Sequence, residues 1–227
     1  MYVLYIANKN YSSWSLRPWV LMHERGLAFE ERLVPFESGP NPTAFLAFSP
    51  TGKVPCLIDG HTRVWDSLAI IEYLAERHQQ IWPENQLART WARCATAEMH
   101  SGFNTLRNVC SMNCGIRVRY EQPTVLLERE LTRLEALWNE GLERFGGPFL
   151  AGTYFTAVDA FFAPVAFRLQ TYGLTLGSAA ASYATRLLEL ASMRHWYADA
   201  LNETWRDPEH EAELRHWKVL ADLRASA

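Results

Sequence analysis

The chain has 227 residues, with 22 lysines and arginines against 25 aspartates and glutamates, so its formal net charge is −3. This near-neutral balance provides no basic surface that would neutralise phosphates, and we expect no nucleic-acid partner. The composition is 48% hydrophobic, and no apolar run approaches the roughly 18 residues of a membrane span, so we expect a globular, cytoplasmic protein with no membrane partner.

The first 80 or so residues alternate between strand-like and helix-like patterns. Apolar β-formers predict a strand over Tyr2–Ile6, and a helical pattern of apolar residues then continues to Gly26, a residue type that commonly ends helices. Asp59-Gly60 is the strongest hairpin signal in the chain and predicts an antiparallel pair of strands around it. The predicted order, β-α-β-α-β-β-α, suits a small mixed sheet covered by helices. The other predicted elements are strands at Phe29–Val34, Val54–Ile58 and Thr62–Trp65, a short helix at Thr43–Phe48 and a helix opened by Asp66 and Ser67.

From about residue 86 onward, strand signals nearly vanish and helical periodicity takes over. We therefore predict two domains, an α/β domain over residues 1–80 and an all-helical domain over residues 86–227. The Thr156-x-x-Asp159 spacing predicts a capping box at the start of one helix. The charged segment Asp207–Arg215, which contains His210, is interpreted as a solvated surface. The predicted helices are Gln86–Cys110, Val125–Phe145, Val158–Tyr172, Tyr183–Ala191 and Arg194–Glu203.

Common metal-binding and nucleotide-binding signatures are absent from the sequence. The cysteines form no C-x-x-C pair and have no histidine partners at zinc-ligand spacing, so we expect neither a metal site nor a disulfide framework. Gly147 and Gly152 have the spacing of a phosphate loop, but Thr153 stands where that loop needs a lysine. The four cysteines are Cys56, Cys94, Cys110 and Cys114.

Two short segments near the starts of predicted elements carry residues that are suited to ligand binding. In YSSWSLRPW, Ser12 and Ser13 lie between the first strand and the first helix, where they either cap the helix or face a ligand. In SPTGKVPCLID, Val54-Pro55 precedes the third strand. Proline is permitted at a strand start, and a cis bond here would turn the Val54 N–H and C=O towards an extended, peptide-like ligand.

A third segment, WDSLAIIEYL, opens the helix that follows the hairpin. Ser67 lies at the helix entry, where unpaired N–H groups and the positive end of the helix dipole favour a carboxylate. Asp66 beside it is suited to accept a hydrogen bond from a ligand ammonium. All three segments fall at loop-to-helix or loop-to-strand points of one β-α-β-α-β-β-α unit, and together they describe a site for a small zwitterionic peptide.

The joint order of these segments resembles the glutathione transferase superfamily over essentially the whole chain. The similarity is closest to the zeta-like and related bacterial members. The resemblance implies a thioredoxin-like N-terminal domain followed by an all-helical C-terminal domain. The run from Ser67 to Leu74 is the most specific match. The other matching segments are Ser12-Ser13-Trp14, Lys53-Val54-Pro55 and Thr156 to Asp159.

Carried over by position, the resemblance makes glutathione the cosubstrate and places its sulfur near the first helix. Ser12 is the first candidate for the hydroxyl that donates to the sulfur, and Ser13 is the second. A free thiol has a pKa of about 8.5 and reacts as its anion, which the hydroxyl and the helix dipole would stabilise. Trp14 stands where zeta-like members have a cysteine, and we expect it to narrow the pocket.

The remaining glutathione contacts implied by the resemblance come from the second and third segments. Val54, held by Pro55, would pair with the cysteinyl backbone through main-chain hydrogen bonds. Asp66 and Ser67 would hold the γ-glutamyl end, and Lys53 would contact a glutathione carboxylate. Asp66 replaces a glutamine of the family pattern, so we expect the amine to be bound more through charge.

The second substrate is expected to bind between the two domains, against the helical half. Asn104 lies where the zeta pattern has a substrate-facing glutamine, and Arg107 follows one turn later. Arg168 is suited to clamp an anionic substrate through two hydrogen bonds. For both arginines, a solvated or interhelical salt-bridge role is the alternative.

The leading functional hypothesis is a homodimeric glutathione transferase that adds the glutathione thiolate to a small hydrophobic or unsaturated electrophile. One alternative is a glutathione-dependent cis-trans isomerase of maleyl acids, which would consume no glutathione. Another is a non-catalytic protein that binds glutathione or a related ligand. A disulfide reductase is disfavoured because no cysteine occupies the strand-to-helix position.

Overall fold

A four-stranded mixed sheet forms the N-terminal part of the fold, which we describe from a computed structural model over residues 1–36, 43–121 and 123–226. Strand β1 pairs parallel with β2 and antiparallel with β3, and β3 pairs antiparallel with β4, so the order is β2-β1-β3-β4. The predicted hairpin around Asp59-Gly60 is therefore confirmed. The strands are β1 (Tyr2–Ile6), β2 (Phe29–Leu33), β3 (Cys56–Asp59) and β4 (Thr62–Trp65).

Two helices, α1 (Ser13–Glu24) and α2 (Ser67–Ala75), pack against this sheet. The fully buried side chains of Leu4 on β1 and Leu16 on α1 belong to the shared core. Helix α1 ends, as predicted, at a glycine: Gly26 adopts φ 61, a left-handed conformation that other residues rarely take. The short helix predicted after β2 is a 3-10 helix over Ala44–Ala47.

The rest of the described chain is mainly helical. Helix α6 lies at its centre: almost all of its residues are buried, and it packs against α1, α3 and α7. A thioredoxin-like domain followed by a helical domain confirms the predicted fold class. No helix of the described ranges is both long and apolar enough to cross a membrane. The helices are α3 (Gln86–Ser101), α4 (Asn104–Val109), α5 (Val125–Phe145), α6 (Ala157–Tyr172), α7 (Ser178–Glu189), α8 (Ala191–Asn202) and α9 (Pro208–Glu213).

The single helix predicted over Gln86–Cys110 is wrong, because the chain breaks between α3 and α4. Gly102 is packed so tightly that a Cβ atom there would lie 2.7 Å from the carbonyl oxygen of Glu98. Phe103 then adopts φ 52, in the left-handed region, which ends helical propagation. Helix α4 therefore starts afresh, and this change of direction brings Arg107 to the cavity described below.

The C-terminal segment also differs from its interpretation as a solvated surface. A two-stranded antiparallel ribbon joins β5 (Ile116–Arg119) to β6 (Lys218–Asp222). Within Asp207–Arg215, the Asp207 side chain is buried, and Glu211 accepts hydrogen bonds from Tyr11 and Arg224. The ribbon and these polar contacts hold the C-terminal segment against the start of α1, so part of this segment faces the protein interior.

The capping box predicted at Thr156 and Asp159 is present at the start of α6. The buried Asp159 carboxylate accepts hydrogen bonds from the Leu150 N–H at 3.0 Å, the Thr156 N–H at 2.9 Å and the Tyr183 hydroxyl at 2.9 Å. Burial raises the pKa of Asp159 to about 6, and these hydrogen bonds oppose that rise. The carboxylate thus connects α6, α7 and the preceding loop.

Asp159→Ala is expected to lower the free energy of unfolding by about 3 kcal/mol or more, because the substitution leaves several buried donors unpaired. Urea denaturation measures the change. The matched control is Asn85→Ala, which removes an exposed N-cap that accepts from the Ala88 N–H at 3.0 Å; we expect this loss to cost about 1 kcal/mol. Equal losses in the two variants would contradict the interpretation of Asp159 as a buried junction.

Candidate functional site

A cavity of about 900 Å³ lies where the sheet-containing part meets the helical part. Of the eleven residues proposed from the sequence, all but Asn104 line it. The C-terminal segment contributes further lining residues, among them Asp207 and His210, which are not among the eleven. The ten that line it are Ser12, Ser13, Trp14, Lys53, Val54, Pro55, Asp66, Ser67, Arg107 and Arg168.

Ser12 directly precedes α1, but its side chain does not cap that helix. Its hydroxyl donates to Oγ of Ser15 at 2.6 Å, and Oγ of Ser15 also accepts from the backbone N–H of Ala7 at 3.3 Å. Because hydroxyl hydrogens rotate, Ser15 can donate to Ser12 instead and leave the Ser12 hydrogen for a group in the cavity. The three groups form a chain of donors that can end at the Ser12 hydroxyl.

Ser13 and Tyr11 flank Ser12 and differ in what their hydroxyls contact. Oγ of Ser13 accepts from Nη2 of Arg168 at 3.2 Å, which links the start of α1 to α6. The Tyr11 hydroxyl donates to Glu211 at 2.7 Å, and burial together with this carboxylate raises the pKa of Tyr11. The tyrosine hydroxyl is therefore already engaged, and the serines are the hydroxyls available to a ligand.

The loop before β3 exposes main-chain polar groups to the cavity. The Val54–Pro55 peptide bond is cis, in agreement with the cis alternative considered from the sequence. Within the described ranges, the N–H and C=O of Val54 form no hydrogen bond, although the neighbouring Pro55 is buried. Unpaired backbone groups beside a cavity are suited to bind an extended peptide as an added strand. Lys53, the preceding residue, is exposed at the same edge.

Asp66 and Ser67 form the start of α2. Asp66 adopts φ 69, a strained conformation for a residue with a side chain, and its carboxylate accepts from the Leu68 N–H at 2.8 Å. The same carboxylate lies 3.7 Å from Nε2 of His100. Ser67 is fully buried at the first helical position, where backbone N–H groups and the helix dipole favour an anion.

Arg17 lies behind this helix start and was not proposed from the sequence. Nη1 of Arg17 lies 3.4 Å from Oγ of Ser67, and the guanidinium lies over the rings of Trp14 at 4.1 Å and Phe161 at 4.5 Å. Burial, together with the charges of Arg107 and Arg168, lowers the pKa of Arg17 to about 9. Its position three residues after Trp14, on the same helix face, was the only signal in the sequence.

Arg107 and Arg168 line the cavity, whereas Arg17 lies outside its lining. Arg168 is 5% exposed and donates to the carbonyl oxygens of Arg107 and Cys110. Burial lowers the pKa of Arg168 to about 10 and also lowers that of Arg107. None of the three arginines forms an ion pair with a carboxylate of residues 1–36, 43–121 or 123–226. Asn104 lies outside the cavity lining and accepts from Nη2 of Arg107 at 2.6 Å.

The protein thiols are poorly placed for chemistry in this cavity. Cys56, Cys110 and Cys114 are buried and free, whereas Cys94 is exposed on α3. Burial raises the pKa of Cys56 to about 11 and that of Cys110 to about 12, so both remain protonated at neutral pH. Among the residues that the structure describes, no cluster of histidine, cysteine and acidic side chains could hold a metal ion.

Comparison with known families identifies the segment that carries most of this site. Residues 11–77 match the family model described as the glutathione S-transferase N-terminal domain. This match spans the serines, the Val54–Pro55 loop and the start of α2. Residues 11–77 are therefore similar to the N-terminal domain of glutathione S-transferases.

Curated relatives extend the similarity beyond this segment, and solved structures share the fold. A zeta class glutathione S-transferase of Euphorbia esula is 28% identical over 157 residues, which are 67% of this chain and 70% of the relative. A probable maleylacetoacetate isomerase of Caenorhabditis elegans is 25% identical over 182 residues, 77% of this chain and 81% of the relative. A glutathione transferase homolog from Burkholderia, solved with bound glutathione, has the same fold, with a TM-score of 0.65, 22% identity and coverage of 88% of this chain and 97% of that one.

Proposed function

We propose that this protein is a glutathione transferase that activates the glutathione thiol and adds it to a small hydrophobic or unsaturated electrophile. The strongest support is that three separate stretches of sequence line one cavity: the serines after β1, the loop before β3 and the start of α2. Together these stretches offer a hydroxyl, free main-chain polar groups and a helix N-terminus to one extended peptide.

The chemistry of the donors and acceptors fits glutathione group by group. The N–H and C=O of Val54 suit the cysteinyl backbone, because both lack partners in the described part of the chain. The start of α2 with Ser67 suits the γ-glutamyl carboxylate, and Asp66 suits the γ-glutamyl ammonium. Lys53 lies at the exposed edge, where it suits the glycyl carboxylate.

In this proposal the protein lowers the pKa of the bound thiol and does not attack the electrophile itself. Glutathione supplies the nucleophile, a thiol with an ordinary pKa of about 8.5 that reacts as its anion. The Ser12 hydroxyl, supported by Ser15, donates to the sulfur, and the N-terminus of α1 adds a positive potential. Each unit by which the pKa falls corresponds to about 1.4 kcal/mol of preference for the thiolate.

A second activity, the glutathione-dependent isomerisation of maleyl acids, is favoured by the arginines that line or lie beside the cavity. Arg17, Arg107 and Arg168 lack ion-pair partners in the described ranges and suit a substrate with two carboxylates. The isomerase relative from Caenorhabditis elegans supports the same alternative. Conjugation consumes thiol, whereas isomerisation leaves it unchanged, so following free thiol during turnover separates the two activities. Glutathione binding without any turnover would favour a non-catalytic binding protein.

Calorimetric titration under reducing conditions tests the proposed binding, and Asp66→Asn sharpens the test. Asparagine can still cap α2 and tolerates the positive φ, but it removes the charge offered to the ligand ammonium. Because the Asp66 side chain is 47% exposed, we expect only about a fivefold loss of glutathione affinity, as for other solvent-screened ion pairs.

The control for this prediction is a glutathione analogue that lacks the γ-glutamyl amine. Wild type and Asp66→Asn should bind this analogue with equal affinity, because the contact that distinguishes them is missing. A fivefold difference that persists with the analogue would assign Asp66 a structural role. If folded wild-type protein takes up no glutathione, the proposed function is wrong.

A further inference from the structure

An imidazole from the C-terminal segment faces the same cavity from the side of α9. The His210 ring is stacked on Tyr11, with ring centroids 4.9 Å apart and an angle of 20° between the planes. The ring of Phe36 lies 4.7 Å away. Two aromatic neighbours therefore hold an imidazole that is 28% exposed and lines the cavity. Since Tyr11 directly precedes Ser12, this histidine and the proposed thiol-activating serine belong to one wall.

Asp207 fixes the orientation of this imidazole. Asp207 is 3% exposed, and its Oδ2 lies 2.6 Å from Nδ1 of His210. A carboxylate accepts hydrogen bonds, so Nδ1 carries the proton and Nε2 is the basic nitrogen of the neutral ring. In the described ranges, no group is hydrogen-bonded to Nε2 of His210.

The role of Asp207 as the N-cap of α9 does not account for its contact with the His210 ring. Oδ2 of Asp207 accepts from the backbone N–H of His210 at 3.0 Å, and this bond caps α9 whatever side chain stands at position 210. The bond from Asp207 to the ring is additional. An oriented, partly exposed imidazole that lines a cavity and has one nitrogen without a partner in the described ranges is suited to move protons during catalysis.

We propose that His210 carries a proton between the thiol and the second substrate, an inference that rests on the proposed transferase function. Nε2 accepts the proton that the thiol loses. When sulfur bonds to the β-carbon of an α,β-unsaturated carbonyl compound, the C=C π bond breaks and its electron pair moves to the α-carbon. The imidazolium then gives its proton to that carbon and returns to the neutral ring, so the thiol has been added across the double bond and no further reactant is needed.

This role selects a class of electrophile. An unsaturated carbonyl compound must gain a proton to complete the reaction, so a proton donor in the cavity accelerates its turnover. An aryl halide expels a halide ion and needs no proton at carbon. The geometry therefore favours α,β-unsaturated carbonyl compounds over aryl halides as the substrates of this cavity.

The test compares two electrophiles, trans-4-phenyl-3-buten-2-one and 1-chloro-2,4-dinitrobenzene, in wild type and His210→Gln. Glutamine is similar in size and polar, but it cannot carry the proton. We expect the ratio of kcat/KM for the unsaturated ketone to kcat/KM for the aryl halide to fall about 100-fold in the variant. The control is His216→Gln, since His216 is exposed on the same segment and does not line the cavity; both rates should stay at wild-type values.

Asp207→Asn provides a second variant if His210→Gln does not fold. Asparagine still caps α9, but its amide can donate to Nδ1 and so favours the tautomer in which Nε2 is protonated. The same ratio should then fall by at least about tenfold. An unchanged ratio in the variant that folds, or a wild type that turns over the aryl halide alone, overturns the role of His210 and leaves the transferase function standing. A wild type that neither binds glutathione nor turns over either electrophile overturns both.

Discussion

Replacing Ser12 with alanine is expected to lower kcat/KM for glutathione conjugation about 100-fold, with little change in glutathione affinity. The Ser12 hydroxyl would donate a charge-assisted hydrogen bond to the thiolate, and such bonds contribute about 1.5–3 kcal/mol. Loss of this bond should raise the pKa of the bound thiol by about one to two units. Spectroscopic titration of the thiolate in the complex measures this rise directly, and calorimetry measures the affinity.

Ser13→Ala and Ser15→Ala are the matched controls for this prediction. Ser15→Ala removes the group that supports Ser12 and leaves the Ala7 N–H without its partner, so we expect a smaller rise in the thiol pKa. Ser13→Ala removes the second candidate hydroxyl, whose Oγ accepts from Arg168 and keeps its own hydrogen. We expect a smaller effect on the thiol than in Ser12→Ala, because this substitution leaves the hydrogen bond between Ser12 and Ser15 intact. If the thiol pKa stays at its wild-type value in Ser12→Ala and rises in Ser13→Ala, the activating hydroxyl is that of Ser13. No change in any variant would refute activation by serine.

The elements that the sequence predicted well are those that depend on neighbouring residues. Helix α5 has the predicted bounds, because the Thr124 hydroxyl caps its start at the Leu127 N–H and Gly146 ends it in the left-handed conformation. The break after Ser101 depends instead on how closely Gly102 approaches the Glu98 carbonyl, and periodicity does not report such a contact. Strand β6 was missed because its partner, β5, lies far away along the chain.

The residues of the candidate site also fall into two groups, those that local sequence patterns identify and those that depend on contacts with distant residues. Ser12, Val54 and Ser67 were found because each stands at the start of an element, where local pattern fixes the position of the backbone. Arg17 and His210 were missed because their orientation depends on packing against distant rings, those of Phe161 and Phe36 respectively. A sequence pattern identifies which residues precede a helix, but it does not identify which side chains pack against residues that lie far away along the chain.

The positive charges of Arg17, Arg107 and Arg168 are not balanced by ion pairs with carboxylates of the described residues. Arg17 is 1% exposed and Arg168 is 5% exposed, and Nε of each is buried without a hydrogen-bond partner in the described ranges. Their pKa values, lowered by burial to about 9 and about 10, still leave both charged at neutral pH. A buried charge without a counterion is unfavourable. An anionic ligand in the cavity would offset that penalty, which favours a substrate with carboxylate groups.

Arg168→Met is therefore expected to lower kcat/KM for maleate about 100-fold or more relative to its neutral dimethyl ester. Methionine retains much of the side-chain volume but removes the charge, and the loss of one partner from a buried ion pair costs about 3–5 kcal/mol. Glutathione-dependent turnover of the two compounds, assayed side by side, gives the ratio. Arg186→Met, which removes an exposed arginine of α7 outside the cavity lining, is the control for net charge.

Arg168→Lys separates the charge of this side chain from its geometry. Lysine keeps the positive charge but lacks the planar pair of donors, so we expect it to retain part of the preference for the diacid. If Arg168→Met lowered kcat/KM equally for maleate and for its dimethyl ester, Arg168 would not bind the substrate carboxylates. Arg168 would then act by holding the carbonyl groups of Arg107 and Cys110 in place, and binding of the anion would fall to Arg107, which also lines the cavity.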